Sequence, residues 1–369
     1  MVADDIPMDQ DPVPAPRHGR RAWFRMRVSW AERKRLLYRE AWISVLAMEG
    51  LLAAAWSIPA DGLGEGTVAS LVFCVHLGVR IVTWHIAGFA FLVMLLALAF
   101  RRGWLLLASA PAGAVFLVLN IGSSLPCEPP SLGSQRLKVM SVNLLMVNRN
   151  TQPIIDEIRR ERPDVVSFQE YTVHWDKALR AALAKSFPYE VHDCREDSFG
   201  AAIYSRIPLE NVDTRMSLGK GEVPGLGFID VPAFRAEFRH DGRTWVIYDI
   251  HTLPPRLLSY IRGQRRQVRE LTELVRGERG PTLVTGDFNW NQYTEYHRGM
   301  VRLGYLDGQT QAGRGLGNTW PVLGPLSFLP GIRLDHIYMR NLDCEEFRTG
   351  AALGSDHRAV IAVVGVPRR

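Results

Sequence analysis

The stretch LVTGDFNWN (residues 283–291) ends an apolar run on a glycine, an acid and an amide. Residues 281–287 have the composition of a buried β-strand. Asp287 and Asn289 are two positions apart, so in an extended chain their side chains point to the same side. Taken alone, GDFN is more typical of a turn, in which the glycine and asparagine supply the backbone angles and the aspartate caps. Its meaning therefore depends on what the rest of the chain places beside it.

Strand and helix patterns alternate on both sides of this stretch. Predicted strands cover residues 137–145, 165–170, 200–205, 232–238, 244–250, 281–287, 333–339 and 357–364. Predicted helices cover residues 151–164, 175–187 and 256–276, and Thr151 is a capping candidate for the first of them. So many apolar strands within residues 137–364 predict two packed sheets covered by helices, which is an α/β fold.

Polar residues at the predicted strand ends form a candidate site, because loops there hold polar groups that the strands fix in place. The candidates are Asn143, Glu170, His251, Asp287, Asn289, Asp335, His336, Asp356 and His357. Each has a structural alternative: a helix-start acid, a capped turn, or a histidine buried against a carbonyl. His336 follows Asp335 along a strand and should face the opposite side, so it is interpreted as structural.

Five motifs in chain order carry a resemblance to a known family. They are Asn143, QE (169–170), GDFN (286–289), LDH (334–336) and SDH (355–357). In this order and on strands, they resemble the endonuclease/exonuclease/phosphatase family, which includes deoxyribonucleases, repair nucleases, inositol polyphosphate phosphatases and neutral sphingomyelinases. The resemblance covers about Leu137 to Val364. It implies a four-layered α/β sandwich, two packed mixed sheets flanked by helices, that cleaves phosphoester bonds with a divalent metal.

The resemblance places the metal among oxygen ligands. Mg²⁺ keeps much of its water and takes only one or two carboxylates from a protein, and Mn²⁺ is an alternative. Glu170 is the expected main ligand, with help from Asp356 or Asn143. A hard cation at this point would neutralise a phosphate oxygen or the leaving oxygen and so lower the barrier to attack.

The resemblance also implies catalytic roles for five residues. Asp287 would activate or orient the attacking water, and Asn289 would hold that water or a phosphate oxygen. His357 would contact the phosphate and stabilise the charge of the transition state, oriented by Asp335 through its other ring nitrogen. His251 would lie near the leaving group.

The region from 41 to 122 has a different composition from the rest of the chain. Between residues 41 and 121 there are only six charged residues. Residues 42–59, 81–100 and 104–121 approach the length of about 20 residues that spans a bilayer, and tryptophans lie near their ends. Residues 67–80 are apolar but short and end on Arg80, which favours an interfacial helix. A very hydrophobic soluble bundle is the alternative, and a cleavable signal peptide fits less well.

Basic residues predict the orientation. Nine Lys/Arg and one acid lie between Arg17 and Arg39, and Arg101 and Arg102 occupy the loop between the second and third spans. Both segments should be cytoplasmic, so three spans place the C-terminal domain outside the cytoplasm of a multi-pass plasma (inner) membrane protein. If residues 67–80 also span the membrane, the C-terminal domain is predicted on the cytoplasmic side instead. FGAAIYSRIPL (199–209) and NTWPV (318–322) further resemble a membrane-tethered bacterial branch of the family.

Four segments follow from these patterns. They are a basic cytoplasmic segment (1–40), a transmembrane region of about three helices (41–122), a Pro/Ser/Gly-rich linker (123–136) and the catalytic domain (137–369). The net charge of +6 divides about equally between residues 1–122 and residues 123–369, so it does not indicate nucleic-acid binding. The cysteines at 74, 127, 194 and 344 lack metal-site spacing; one disulfide is possible, and no pair is favoured.

The sequence therefore predicts a membrane-anchored, divalent-metal-dependent phosphoesterase. Its substrate is open among nucleic acid, a phospholipid head group and a small phosphate ester; the bilayer is the other expected partner, and no protein partner is predicted. The alternative is a catalytically inactive scaffold of the same fold, although all the family's acids are present. Three spans with one membrane acid, Glu49, are too few for a transporter pathway.

Two further features have open interpretations. The basic helix 256–276 carries Arg262, Arg265, Arg266 and Arg269, which could bind phosphates, but a solvated face is the preferred interpretation because acids are interspersed. Trp290, Trp320 and Phe328 lie near the site loops and could line a substrate surface or pack in the core.

Overall fold

The computed structural model describes residues 29–59, 63–64, 66–124, 130, 133, 135–325 and 327–367. Most of the predicted basic segment (1–40), part of the linker (123–136) and Cys127 lie outside the described residues. The chain divides into two units, residues 1–43 and 44–369.

The helices are α1 Trp30–Ser57, α2 Thr67–Ile81, α3 Thr83–Ala99, α4 Gly103–Ser124, α5 Gln152–Glu161, α6 Val173–Leu183, α7 Leu258–Arg276, α8 Glu295–Arg302 and α9 Gly308–Ala312. The strands are β1 Leu137–Asn143, β2 Val165–Gln169, β3 Tyr189–Asp193, β4 Ala201–Ser205, β5 Leu209–Asp213, β6 Ser217–Val223, β7 Gly227–Pro232, β8 Phe234–His240, β9 Arg243–His251, β10 Thr282–Asp287, β11 Leu306–Asp307, β12 Asp335–Arg340, β13 Asp343–Ala352 and β14 Arg358–Gly365. Helix α1 crosses the boundary between the two units.

Two six-stranded mixed sheets form the centre of the fold. The first has the order β13-β14-β1-β2-β4-β3, and the second has the order β11-β12-β10-β9-β8-β5. Their inner faces share one apolar core, to which Val139, Ile203, Trp245, Leu283 and Val360 contribute. Helices α5 and α6 cover the outer face of the first sheet, and α7 and α8 cover that of the second. The predicted arrangement of two packed mixed sheets flanked by helices is therefore confirmed.

The sequence did not predict several strands. They are β3, β5, β6, β7, β11 and β13. Strand β5 (LENVD) is largely exposed on the edge of its sheet, so it lacks the apolar run by which a strand is recognised. Thr151 does precede α5, but it makes no side-chain capping hydrogen bond, so that detail of the prediction was wrong.

Gly286 is needed where β10 approaches β9. Its φ is +138°, and a Cβ there would lie 1.8 Å from the carbonyl oxygen of Ile250. We expect Gly286→Ala to lower the free energy of unfolding by more than about 3 kcal/mol, since both the backbone conformation and the contact are unfavourable. Gly304→Ala is the matched control, because its φ is +85° with nothing within 4 Å of the added carbon. Equal losses in thermal unfolding would show that the close approach is unimportant.

The apolar helices occur where the sequence predicted them, but fewer could cross a membrane. Among the described residues, Gly103–Ser124 alone is long and apolar enough, and Thr67–Ile81 with Thr83–Ala99 would add a second span only as a pair bent by 62°. The predicted span 81–100 thus shares its first residue with α2, and α1 is not among the helices that are long and apolar enough to cross a membrane. Three spans, the membrane itself and the side of the catalytic domain remain predictions.

Helix α2 packs against helices α7 and α8. Phe73 and Leu77 join the apolar cluster beneath α7 and α8. Arg80 is fully buried, pairs with Glu295 of α8 at 3.0 Å and donates to the carbonyl of Tyr293 at 2.9 Å. A buried guanidinium needs such partners, which fixes where the end of α2 contacts α8.

Candidate functional site

The strand arrangement brings the predicted site residues to one edge of the fold. Strands β1 and β2 run parallel, as do β9 and β10, so the carboxyl ends of each pair lie side by side. Asn143 ends β1, Glu170 follows β2, and His251 and Asp287 are direct neighbours at the ends of β9 and β10. Strand β12 is antiparallel to β10, and its first residue, Asp335, pairs with Asp287.

Two of these residues have left-handed backbone angles. The φ of Glu170 is +57°, and that of Asn289 is +52°. Such angles are uncommon for residues other than glycine and are retained where the surroundings enforce them. Each angle turns the chain sharply just after a strand.

Asn143 connects the two sheets at the site. Its Nδ2 donates to Glu170 Oε1 at 3.2 Å and to Asp287 Oδ2 at 3.1 Å, and it is buried. The other oxygen of Glu170 accepts from the backbone N–H of Met146 at 2.8 Å. Glu170 on the first sheet and Asp287 on the second are thus one amide group apart.

His357 and Asp335 form a buried pair. His357 Nδ1 lies 2.8 Å from Asp335 Oδ2, and its Nε2 lies 3.7 Å from Asp287 Oδ2. Burial alone would lower the pKa of His357, but the charges of Asp335 and Asp287 raise it to about 10. His357 is therefore a cation at neutral pH, and its Nε2–H faces Asp287.

His251 and Asn289 complete the surroundings of Asp287. His251 Nε2 lies 3.6 Å from Asp287 Oδ2, and its ring packs against Phe199. Burial lowers the pKa of His251, so it is neutral at pH 7. The backbone N–H of Asn289 donates to Asp287 Oδ1 at 2.9 Å, while its side-chain amide donates to the carbonyl of Thr252 at 2.9 Å. One N–H of Asn289 Nδ2 thus has a backbone partner, and the predicted role would use the second N–H for a phosphate oxygen, or the side-chain oxygen for a water.

Three residues that position the site were not recognised from the sequence. Trp320 Nε1 donates to Asp356 Oδ2 at 3.0 Å, so Trp320 orients an acid and is more than a packing residue. Ser355 Oγ donates to the carbonyl of Asn143 and accepts from the N–H of His357. Thr319 Oγ1 accepts from the N–H of Asp335 at 3.3 Å. These residues lie in the stretches NTWPV (318–322) and SDH (355–357), but their roles were not recognised because the partners Asp356, Asp335 and Asn143 are distant from them in sequence.

The electrostatics of the acids follow from their burial. Burial raises the pKa of Asp287 to about 6, against the opposing charge of His357. Burial also raises the pKa of Glu170, and the charge of Asp356 raises it further. Removing these carboxylates from water without a cation is thus unfavourable.

The oxygen atoms at this edge fit a hard divalent cation. Asp356 Oδ1 is buried and makes no hydrogen bond within the described part of the chain. Glu170 lies close enough for Asp356 to affect its pKa, and the Asn143 amide lies between Glu170 and Asp287. Asp287, Asp335 and His357 also have ligand atoms within 4.8 Å of one another. A protonated imidazole cannot bind a metal, however, so the carboxylates beside Asn143 fit the cation better.

A second buried group lies on the other side of β12. His336 is fully buried, with Nε2 3.0 Å from the carbonyl oxygen of Trp290 and Nδ1 3.4 Å from Asp307 Oδ1. Asp307 pairs with Arg333 at 2.8 Å. His336 thus faces away from Asp335 and has structural partners, as the sequence analysis expected. Trp290 is also fully buried, and Phe328 is exposed.

A polar layer joins the two sheets directly below the site. Gln169 Nε2 donates to Asp249 Oδ1 at 2.5 Å, and the hydroxyls of Ser167 and Thr285 lie 2.8 Å apart. Asp249 is completely buried, and its Oδ2 has no hydrogen-bond partner among the described residues. Burial raises the pKa of Asp249 well above its usual value, so the native state holds a proton that the unfolded chain releases.

We expect Asp249→Asn to stabilise the protein more at pH 8 than at pH 5. Above the unfolded pKa of about 4, keeping this proton costs about 1.4 kcal/mol per pH unit until the folded pKa is reached. The free energy of unfolding of the natural protein therefore falls over this pH range, and Asn removes that loss while retaining an acceptor for Gln169. Thermal unfolding at both pH values measures the effect. Asp343→Asn is the control, since that half-buried carboxylate also accepts from a glutamine, Gln311 Nε2, at 2.8 Å. An identical shift at both pH values would contradict the expectation.

The model of the Endonuclease/Exonuclease/phosphatase family matches residues 140–357, which include the whole candidate site.

The chain belongs to the endonuclease/exonuclease/phosphatase family.

Solved structures agree with this fold. TDP2 of D. rerio complexed with single strand DNA product has a TM-score of 0.52 at 15% identity, covering 63% of this chain and 100% of that chain. An endonuclease/exonuclease/phosphatase from Beutenbergia cavernae has a TM-score of 0.50 at 19% identity, with coverages of 63% and 72%. A family protein from Leptotrichia buccalis has a TM-score of 0.50 at 16% identity, with coverages of 61% and 98%. At these identities the likeness shows the fold alone. A search of curated proteins gave no match.

Three cysteines lie among the described residues. Cys74, Cys194 and Cys344 are free, so no disulfide joins any two of them. Cys194 lies with Asp176 and His192 in a half-buried group, and burial raises the pKa of its thiol to about 11.

Proposed function

We propose that this family member is a membrane-anchored, divalent-metal-dependent phosphoesterase. The observation that carries the proposal is the convergence of Glu170, Asp287 and His357, which come from separate parts of the chain and meet around Asn143. In this position the carboxylate of Glu170, the base Asp287 and the imidazolium of His357 can act on one phosphorus centre. The metal, Mg²⁺ or Mn²⁺, would be held by Glu170 with Asp356 and Asn143.

Each side chain of the site has a separate role in the proposed reaction. Asp287, with a pKa near neutrality, takes the proton of the attacking water. The protonated Nε2–H of His357 binds a phosphate oxygen and stabilises the charge that grows on it, and Asp335 keeps that imidazole charged and oriented. Neutral His251 lies beside Asp287 and can donate one N–H toward the leaving oxygen. Asn289 holds the water or a phosphate oxygen. When bound, the metal supplies a positive charge next to the reacting phosphate.

The substrate class is tested with the full-length protein in detergent. The panel contains single-stranded and duplex DNA, RNA, phospholipid head groups in mixed micelles and small phosphate esters, each with Mg²⁺, Mn²⁺ or EDTA. Single-stranded DNA is the first member to test, because TDP2 of D. rerio was solved with a single strand DNA product. Cleavage of any phosphoester that stops with EDTA supports the proposal. No cleavage of any member would favour the inactive scaffold instead.

Glu170→Gln is expected to raise the half-saturating Mg²⁺ concentration by more than about tenfold, since losing even an outer-shell partner of a bound metal typically costs that much. Gln keeps the size of the side chain and can still accept from Met146 N, so the local fold should persist. Calorimetric titration with Mg²⁺ measures the binding directly, without activity. Glu157→Gln serves as the control, because Glu157 is buried on α5, which covers the same sheet, and pairs with Arg160. Unchanged Mg²⁺ binding by the Glu170 variant would remove this residue from the metal site.

Membrane anchoring and location are proposed from the apolar helices and from the basic residues of the N-terminal region. Helix α4 is long and apolar enough to span a bilayer, and α3 carries an exposed apolar surface of Phe89, Leu92, Leu95 and Leu98. Exposed apolar side chains in such numbers are stable in lipid rather than water. We propose residues 41–122 as the membrane region, 123–136 as the linker, 137–369 as the catalytic domain outside the cytoplasm and residues 1–40 as cytoplasmic. Protease accessibility of 137–369 in intact cells tests the orientation.

A further inference from the structure

The surface loop at residues 321–331, called the apolar loop here, is uncharged and rich in large apolar side chains. It reads PVLGPLSFLPG and contains no acidic or basic residue. Leu323, Phe328 and Leu329 are 46%, 79% and 45% exposed, while Leu326 lies outside the described residues. Large apolar side chains grouped on one surface are unfavourable in water and mark an interaction surface. The apolar loop therefore indicates a partner that is itself apolar.

The two ends of the apolar loop are held together. The backbone N–H of Trp320 donates to the carbonyl of Ile332 at 2.9 Å, and the N–H of Ile332 donates to the carbonyl of Trp320 at 2.6 Å. The residues between them thus leave and re-enter the domain at one place. This closed base leaves the side chain of Phe328 exposed to its surroundings.

The base of the apolar loop is bonded to the candidate site. Trp320 Nε1 donates to Asp356 Oδ2 at 3.0 Å, and the backbone N–H of Val322 donates to the carbonyl of Asp356 at 2.8 Å. Asp356 is one of the proposed metal ligands. A partner that binds the apolar loop would therefore lie close to the site.

Helices α3 and α4 form an antiparallel hairpin. Trp84 Nε1, at the start of α3, donates to Asn120 Oδ1, near the end of α4, at 3.4 Å. Further along, the rings of Phe91 and Phe116 stack with their centroids 5.1 Å apart. The start of α3 and the end of α4 thus lie at the same end of the hairpin.

That end of the hairpin contacts the apolar loop and a segment just before it. His85 Nε2 of α3 donates to the carbonyl of Pro330, within the loop, at 2.6 Å. The backbone N–H of Gly315 donates to the carbonyl of Ser123, in the last turn of α4, at 2.8 Å. A bilayer around the hairpin would end at this level, where the ring of Trp84 also suits the interface. The apolar loop therefore lies where such a bilayer would have its surface.

The exposed surface of α3 indicates which apolar partner fits. Phe89, Leu92 and Leu95 are also exposed, and they belong to the helix whose His85 contacts the loop. A bilayer would cover this helix surface and the adjoining loop at once. A soluble protein would cover the loop and leave the helix in water, which is unfavourable.

We infer that the apolar loop inserts Leu323, Phe328 and Leu329 into the surface of the lipid bilayer. The inference rests on the membrane anchoring proposed above and is independent of the catalytic activity. Apolar side chains of interfacial segments enter the boundary between head groups and acyl chains, where they leave water without spanning the membrane. Because the base of the loop is bonded to Asp356, insertion would keep the site close to the lipid surface.

The test uses the full-length protein in phosphatidylcholine vesicles, with a fluorescent amino acid in place of Phe328 and a nitroxide near the top of the lipid acyl chains. We expect the nitroxide to lower the emission about twofold or more, because interfacial apolar side chains lie about 5–10 Å into the bilayer. Val212 is the matched control position. It is an exposed apolar residue on β5, at the opposite edge of the second sheet from β11, and a label there should keep its emission.

A label in place of Leu95 on α3 distinguishes failure of this inference from failure of the anchoring proposal. Quenching at position 95 without quenching at 328 would mean that the hairpin lies in lipid and the loop does not, which overturns the inference alone. No quenching at either position would refute both. A blue-shifted but unquenched label at 328 would show that protein covers the loop, and equal quenching at 328 and 212 would show no preference for it; each result overturns the inference.

Phe328→Glu provides a second measurement. The side chain is exposed, so the variant should fold, but a carboxylate is unfavourable among acyl chains. A fluorescent amino acid in place of Leu323 should therefore lose most of its quenching in this variant. Val212→Glu introduces the same charge away from the loop and should leave the quenching at position 323 unchanged. Equal quenching in the two variants would contradict insertion of Phe328.

Discussion

Asp287→Asn is expected to lower kcat by about 10³-fold or more while leaving the protein folded. The substitution keeps the shape of the side chain and its acceptor for the N–H of Asn289, but it removes the base that takes the proton from water. Asp287 lies within 4 Å of both His251 and His357, and among the described ion pairs it is the carboxylate that contacts both histidines. Initial rates on the best substrate of the panel, together with a thermal unfolding curve, measure the effect.

Asp249→Asn is the matched control for this variant. Asp249 is also a buried acid with a raised pKa, on the strand next to β10, but it contacts Gln169 rather than the reacting groups. Its substitution should change kcat by less than about twofold, in line with a residue outside the transition state. If the Asp287 variant keeps more than a tenth of the kcat, the assignment of Asp287 as the base is wrong.

The pH profile gives an independent test of Asp287. A base must be ionised, so kcat/KM should fall about tenfold per pH unit below its pKa. That pKa is about 6 without a metal because the group is buried, and a bound cation lowers it. The acid limb of the profile should therefore lie at or below pH 6. A limb well above pH 7 would assign the titration to another group.

The proximity of the candidate residues could be predicted from the sequence because these residues lie at the ends of apolar strands. Each apolar run, such as residues 281–287, marks a strand, and the polar residue after it marks the edge of a sheet. Parallel neighbours then bring Asn143 close to Glu170, and His251 close to Asp287. This step needs only local composition and the rules of sheet geometry, so it can be made without coordinates.

Partners that meet only in three dimensions were not predictable in the same way. Trp320 reaches Asp356 across 36 residues, and Arg80 reaches Glu295 across 215. No local pattern indicates either contact, because each depends on how separate elements pack. The same reason explains the arginines of α7: their spacing was visible, but the contact that α2 makes with them was not. The bend of 62° between α2 and α3 was not predicted either, since it has no strong signal in an evenly apolar stretch.

His357→Gln is expected to lower kcat by about 10²- to 10³-fold, the usual loss when a group that stabilises developing charge is removed. The glutamine amide can still donate to a phosphate oxygen, but it carries no charge. His357 is a cation at neutral pH because Asp335 and Asp287 raise its pKa to about 10. The natural enzyme should therefore stay active into the alkaline range, provided that the metal remains bound.

Asp335→Asn separates the role of the charge from that of the side chain. Asn still accepts from His357 Nδ1, which lies 2.8 Å from the carboxylate, but it removes the negative charge that favours the imidazolium. The pKa of His357 should fall. The variant should therefore match the natural protein at pH 6, and as the pH rises its activity should be lost at a lower pH than that of the natural protein. Rates from pH 5 to pH 10 at saturating Mg²⁺ measure this shift. A uniform loss at every pH would mean that Asp335 only orients the ring, because a change of pKa moves the alkaline limb and a change of geometry lowers the whole profile.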